Sequence, residues 1–192
     1  GYTVHYVLAR LVPTLNPSDL DYCAPAIVKL LLDDIFGEAA EKREVDKIAN
    51  SMKEARATQS YRSFELVASI VSFAPHVNLL VIPLHQAVLA APGGADALKN
   101  VNIARELLRR ATQGLGANGS VEVRAHCVYV HGMLGTHLPA ETRRGDGGAP
   151  RYAAPVDSVA HVLDGEADGG AGGAQSPLSQ ELVAFALNLL FG

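Results

Sequence analysis

The sequence has 192 residues, a formal net charge of -4, 48% hydrophobic residues and two cysteines. That length serves one ordinary domain or several short repeats, and two cysteines exclude a disulfide framework. The acidic balance disfavours nucleic-acid binding over the whole surface but leaves room for a local basic patch.

Cys23 and Cys127 both fall in apolar helical patterns, which predicts two small buried hydrophobes in a reducing compartment. The chain opens at Gly1 within an apolar helical pattern (Tyr2, Val4, Val7, Leu8, Leu11) and stops at Gly192 within another, as a segment of a longer protein would.

A first helix is expected over residues 1–12, ended near Pro13. Asn16-Pro17-Ser18-Asp19 makes a turn, with Ser18 as N-cap of the next helix and Asp19 and Asp21 near the positive end of its dipole. Leu20, Cys23, Ala24, Ile27, Leu30, Leu31 and Phe36 supply its apolar positions; Pro25 marks a kink or a later start, and Gly37 a C-terminal cap. Residues 38–58 are charged on most faces, with only Val45, Ile48 and Met52 apolar, and form a partly helical, exposed insertion.

Ser60 is the expected N-cap of a helix running from Tyr61 to about Phe73, in which Phe64, Val67, Ala68 and Val71 recur at one-face spacing. Its partner runs from about Val77 to Ala90, closed by Pro92-Gly93-Gly94. Asn100 or Asn102 caps a helix carrying Ile103, Leu107 and Leu108. Gly114 through Gly119 turns the chain, and Ser120 caps Val121 to about Leu134, with Val121, Val128 and Leu134 facing inward. Residues 139–176 are rich in Gly, Ala, Pro and Asp and cannot bury enough apolar surface to offset chain entropy, which predicts a disordered loop. Ser176-Pro177 then starts a final helix with Leu178, Leu182, Phe185, Ala186 and Leu189 on one stripe.

No Asp, Glu, Lys or Arg occurs between Glu65 and Asp96. Pro75, His76, Asn78, Pro83, His85 and Gln86 interrupt that run, so two successive buried helices explain it better than a membrane span. The first helices of successive pairs begin near residues 3, 61, 101 and 178. With segments 38–58 and 139–176 removed, the spacing is roughly 40 residues, the period of HEAT-type helix pairs. The expected fold is all-α: a HEAT-like α-solenoid of antiparallel helix pairs over residues 1–138, a disordered insertion over 139–176, and the start of the next repeat over 177–192. Each pair hides its apolar face only against its neighbours.

No set of residues points to catalysis, a cofactor or a metal. Gly114-Leu115-Gly116-Ala117-Asn118-Gly119 matches G-x-G-x-x-G, but a helix rather than a strand precedes it, so a hairpin turn is the better reading. His126, Cys127 and His131 do not stack on one helix face, and Asp33 and Asp34 diverge as adjacent helical residues do. Two basic groups are candidates for RNA or acidic-protein contact. Lys53, Arg56 and Arg62 surround Tyr61, an aromatic available for stacking. Arg105, Arg109 and Arg110 form a second ridge, where the repulsion between Arg105 and Arg109 would be relieved by an anionic partner.

The stretch Lys53–Phe73, together with Asp33-Asp34-Ile35-Phe36-Gly37, resembles the small subunit processome component 20 (down-regulated-in-metastasis) family. Lys53, Glu54, Ser60, Tyr61, Ser63, Glu65, Leu66 and Ala68 fall on that family's pattern. Leu79 to Leu89 and the final ELVAFALNLLF continue the likeness, and the Gly-rich stretch lies outside it. The resemblance implies a very large HEAT-repeat scaffold, without an active site, in the nucleolar small-subunit processome. Its implied partners are processome proteins and pre-ribosomal RNA, with no membrane or small-molecule substrate. A generic HEAT adaptor, such as a transport receptor or a regulatory scaffold, is the alternative.

Overall fold

A computed structural model describes residues 2–16, 18–36, 49–91, 94–137 and 178–191. Among them are seven α-helices and no strand. In chain order these are α1 (Tyr2–Leu11), α2 (Ala24–Phe36), α3 (Ala49–Ala68), α4 (Phe73–Leu89), α5 (Ala95–Gly116), α6 (Val123–His137) and α7 (Ser179–Phe191), with a 3-10 turn over Val12–Thr14 after α1. No described helix is long and apolar enough to cross a membrane.

The helices pack in two rows. α1, α3, α5 and α7 lie side by side in one row, and α2, α4 and α6 in the other. The substantial contacts across the rows join α2 to α3, α4 to α5, and α6 to α7. Each helix therefore meets the next-but-one helix within its row, which is how amphipathic helices with more than one apolar face bury them all. The core runs along the seam between the rows. Leu31 of α2, Phe64 and Val67 of α3, Val77 and Leu84 of α4, Leu107 of α5, and Leu182 of α7 are all fully buried there. Removing such surface from water contributes about 25 cal/mol per Å².

Several local features depart from the sequence expectations. Ser60 caps no helix. α3 runs unbroken from Ala49, because the Ala, Met, Lys, Glu and Arg of residues 49–59 are strong helix formers. Ser60 sits inside it, fully buried, and its hydroxyl donates to Asp34 Oδ2 of α2 at 2.6 Å. Residues 49–58 thus extend α3, while the rest of the charged insertion lies outside the described residues. α3 stops at Ala68, short of Phe73, where Asn118 Nδ2 donates to the carbonyls of Ala68 (2.8 Å) and Val71 (2.7 Å). That side chain takes the carbonyl of the helix's last residue in place of a further backbone N–H.

Ser18 is not a cap either. It has a positive φ of 83° in a turn, and its backbone N–H donates to Ile70 O. α2 begins only at Ala24, so Pro25 sits in the first turn, where its missing N–H has no helical partner to lose. Asp21 serves a different helix from the one expected, accepting the Ser72 N–H at 2.9 Å beside the start of α4. α5 starts at Ala95, so Asn100 lies inside it and donates its amide to Ala87 O of α4. Ser120 does not cap α6; its hydroxyl donates towards Val71 O and Asn118 Oδ1.

Cys23 and Cys127 are exposed, contrary to the buried reading. On α6 the buried residues are Tyr129, Val130 and Met133, while Val128 is exposed. Apolar residues occur almost all round that helix, so its own pattern does not select a face; packing against α7 and Phe73 does. The expected disordered loop at 139–176 and the Ser176-Pro177 start lie outside the described residues. Beyond them α7 buries the stripe expected of it: Leu178, Leu182, Phe185, Ala186 and Leu189.

Candidate partner and nucleic-acid interface

α5 buries Val101, Ala104, Leu107, Leu108, Ala111 and Leu115, a stripe that repeats every three to four residues. That choice of face turns Arg105 and Arg109 outward and leaves Arg110 half-buried at the edge. All three arginines are paired. Arg105 Nη2 donates to Glu181 Oε1 of α7 at 2.7 Å, and its Nη1 donates to Asn102 Oδ1. Arg109 makes a two-pronged contact with Glu106, at 2.8 and 2.6 Å. Arg110 donates from Nε to Glu106 Oε1 and from Nη1 to Glu65 Oε2 of α3, both at 2.9 Å.

The result is a ridge of paired charges across three neighbouring helices of one row, from Glu65 on α3 through Arg110, Glu106, Arg109 and Arg105 on α5 to Glu181 on α7. The hydrogen bond from Arg109, joined by that from Arg110, outweighs burial and holds the Glu106 carboxyl below the usual carboxylate range. Repulsion between Arg105 and Arg109 is met inside the chain, by Glu181 and Glu106. The ridge is exposed to a partner, but it presents arginines whose charge is locally balanced. Such pairs are screened at the surface and each contributes little to stability.

Tyr61 belongs to this face. Its ring is half-buried against the core, and burial, then the negative charge of Glu106, push its hydroxyl above the ordinary tyrosine value. Arg62 is exposed and lies towards α1; burial, then the Arg62 charge, lower the pKa of His5. His5 Nδ1 is 3.3 Å from the hydroxyl of buried Ser63. Lys53 and Arg56 stand on the first half of α3, and their side chains lie outside the described residues. The structure therefore separates the first basic group: Tyr61 joins the α5 ridge and Arg62 faces α1.

In the sequence Glu65 stands out only on the family pattern, and none of the ridge's carboxylates is assigned to an arginine. Glu106 was legible, standing three and four residues before Arg109 and Arg110, a spacing that brings helical side chains together. Glu65 and Glu181 are 45 and 76 positions from their arginines, and no local pattern announces them. The Gly114–Gly119 stretch serves packing. Gly114 lies in α5, where a Cβ would stand 2.3 Å from Glu65 O, and Asn118 closes the end of α3. His126 leans edge-on against Phe73, while Cys127 and His131 lie on the exposed side of α6.

The family model for the U3 small nucleolar RNA-associated protein 20 domain matches residues 1–134, from α1 through most of α6. A Saccharomyces cerevisiae protein named U3 small nucleolar RNA-associated protein 20 is 33% identical over 134 residues, covering 70% of this chain and 5% of that protein. A Schizosaccharomyces pombe protein of the same name is 29% identical over 133 residues, covering 69% of this chain and 5% of that protein. The chain thus spans about one twentieth of the length of the curated relatives it matches. With the match running through six of the seven described helices, the chain belongs to the U3 small nucleolar RNA-associated protein 20 family.

Proposed function

We propose that this chain is part of a non-catalytic α-solenoid scaffold of the small-subunit processome, where it supports pre-rRNA processing alongside the U3 small nucleolar ribonucleoprotein in the nucleolus. The observation that carries this reading is the family match over residues 1–134, together with two yeast relatives both named for association with U3 small nucleolar RNA. The two-row packing supports the solenoid half of the reading. Helices that meet their next-but-one neighbours form an array open at both ends, and such arrays present long surfaces to several partners at once.

On this reading the ridge of Arg105, Arg109 and Arg110, with Tyr61 beside it, meets RNA or an acidic protein, and Arg62, towards α1, stands apart from it. Arginines already paired with glutamate are held in fixed positions, and a phosphate would compete with Glu106 and Glu181 for them. The test is the double reversal Arg105→Glu and Arg109→Glu in the polypeptide that carries this sequence. Helicity by circular dichroism should be retained while recovery of pre-rRNA and processome proteins falls. Full recovery with intact helicity would reject this face as the contact.

A further inference from the structure

The second row holds a feature that the reading above does not use. Between α2 and α4 runs an open trench of about 410 Å³. Val28, Leu32 and Phe36 form one wall, and Leu79, Pro83 and Ala87 the other. Lys29 and Asp33, four positions apart on α2, line the same trench, and both are exposed. Neither is held in an ion pair or hydrogen bond among the described residues. Their neighbour Asp34 turns the other way, to Ser60.

Pro83 gives the apolar wall a polar demand. It lies inside α4 and has no N–H, so the Leu79 carbonyl lacks the donor that a helix normally supplies from four residues on. A helical N–H points at the carbonyl four residues back, so the ring at 83 and the Leu79 oxygen lie on one side of α4. Pro83 lines the trench, and that side is the trench side. Anything that covers the wall and brings no donor buries a carbonyl that has lost its helical donor. This disfavours a purely hydrocarbon occupant.

We propose that the trench between α2 and α4 is a docking groove for a short extended segment of a partner protein. The occupant is apolar, donates a backbone N–H to the Leu79 carbonyl, and carries one acidic and one basic residue for Lys29 and Asp33. An extended chain fits better than a helix, because a helix has spent all its N–H groups beyond the first turn on itself. The spacing agrees. Four helical residues rise about 6 Å, and two residues of extended chain span about 6.6 Å, so the occupant's two charges stand two residues apart. The stripe from Val28 to Phe36 is about 12 Å long, enough for about four extended residues. This inference does not depend on RNA association: the charge reversals on α5 test that reading, and the variants below leave α5 untouched.

A phage-displayed random-dodecamer library panned on the 192-residue chain tests the groove. Enriched peptides should be apolar with an acidic and a basic residue two apart. Lys29→Glu should weaken their binding about tenfold, and replacing the peptide's acidic residue with lysine should restore it. Pro83→Ala returns an N–H to the Leu79 carbonyl, so it should raise the melting temperature of the chain and yet weaken the peptide, a split that loss of fold does not produce. Absence of any enriched peptide would overturn the proposal. So would peptides that bind both variants as well as the parent chain, or a trench occupied by a single-stranded RNA oligonucleotide or a second copy of the chain instead.

Discussion

Ser60 and Asp34 stand 26 positions apart in sequence and 2.6 Å apart in space, a buried hydroxyl of α3 donating to a carboxylate of α2. The contact fixes the rotation of α3 against the second row. A hydrogen bond to a charged group contributes about 1.5–3 kcal/mol. Ser60→Ala should therefore lower the unfolding free energy by about that amount in urea denaturation. Combined with Asp34→Asn, the two losses should be less than additive, because both remove the same bond.

Glycine positions in α5 make opposite predictions at two nearby sites. At Gly114 an added Cβ would meet Glu65 O at 2.3 Å and Ala68 Cβ at 2.7 Å, so α3 and α5 approach there as closely as their backbones allow. At Gly116 an added Cβ meets nothing within 4 Å. Helix propensity alone favours alanine over glycine by about 1 kcal/mol. Gly116→Ala should follow that preference and raise the melting temperature slightly. Gly114→Ala should instead destabilise by about 1–3 kcal/mol, because the helices must separate to admit the methyl group.

Asn118 is the device that ends α3. Its amide meets the Ala68 and Val71 carbonyls, and its Oδ1 accepts from the Ser120 N–H and hydroxyl. Asn118→Leu keeps the volume and removes these bonds, leaving the Ala68 carbonyl without this donor. The expected loss is about 2 kcal/mol, measurable by denaturant unfolding. Amide exchange should quicken first around residues 68–72.

The acid response should be carried by His85 and His137, between α4 and α6, with His5 of α1 adding a loss of the same sign. The rings of His85 and His137 lie edge-to-face with centroids 6.2 Å apart. Burial lowers the pKa of His85; burial and then the His85 charge lower that of His137. Both folded values lie below the ordinary value of about 6.5, so below that pH the unfolded chain holds more protons than the folded one. Stability is then full above about pH 6.5 and falls as pH drops. Glu106, also lowered, adds a loss in the same direction only in the carboxylate range. The melting temperature should decline as pH falls below about 6.5, and His137→Gln should flatten that decline. An unchanged slope in the variant would remove the pair as its source.

Helix content was legible in the sequence because apolar spacing within one helix is a local signal. α3 and α7 bury the stripes that their sequences announce: Phe64, Val67, Ala68 and Val71 in or just beyond one, Leu178, Leu182, Phe185, Ala186 and Leu189 in the other. What failed was local chemistry with a distant partner. Ser60, Ser18 and Ser120 look like caps of their own helices and Asp21 like a dipole partner of its own, and each bonds across the fold, Ser18 through its backbone N–H. A hydroxyl or carboxylate is satisfied by whichever group the tertiary structure brings, and sequence spacing does not report that group. The same limit applies to the candidate interface. Arg105, Arg109 and Arg110 were readable as a ridge, whereas Glu65 and Glu181, which balance it, stand on other helices.

Association with U3 RNA is the central functional claim, and recovery of that RNA tests it most directly. The polypeptide that carries this sequence should be affinity-purified from nuclear extract and its co-purifying small RNAs counted by sequencing. U3 small nucleolar RNA should be enriched over other small nucleolar RNAs of similar abundance, together with unprocessed pre-rRNA. U3 at the background level of those other RNAs, from a preparation in which the polypeptide is intact, would contradict the account.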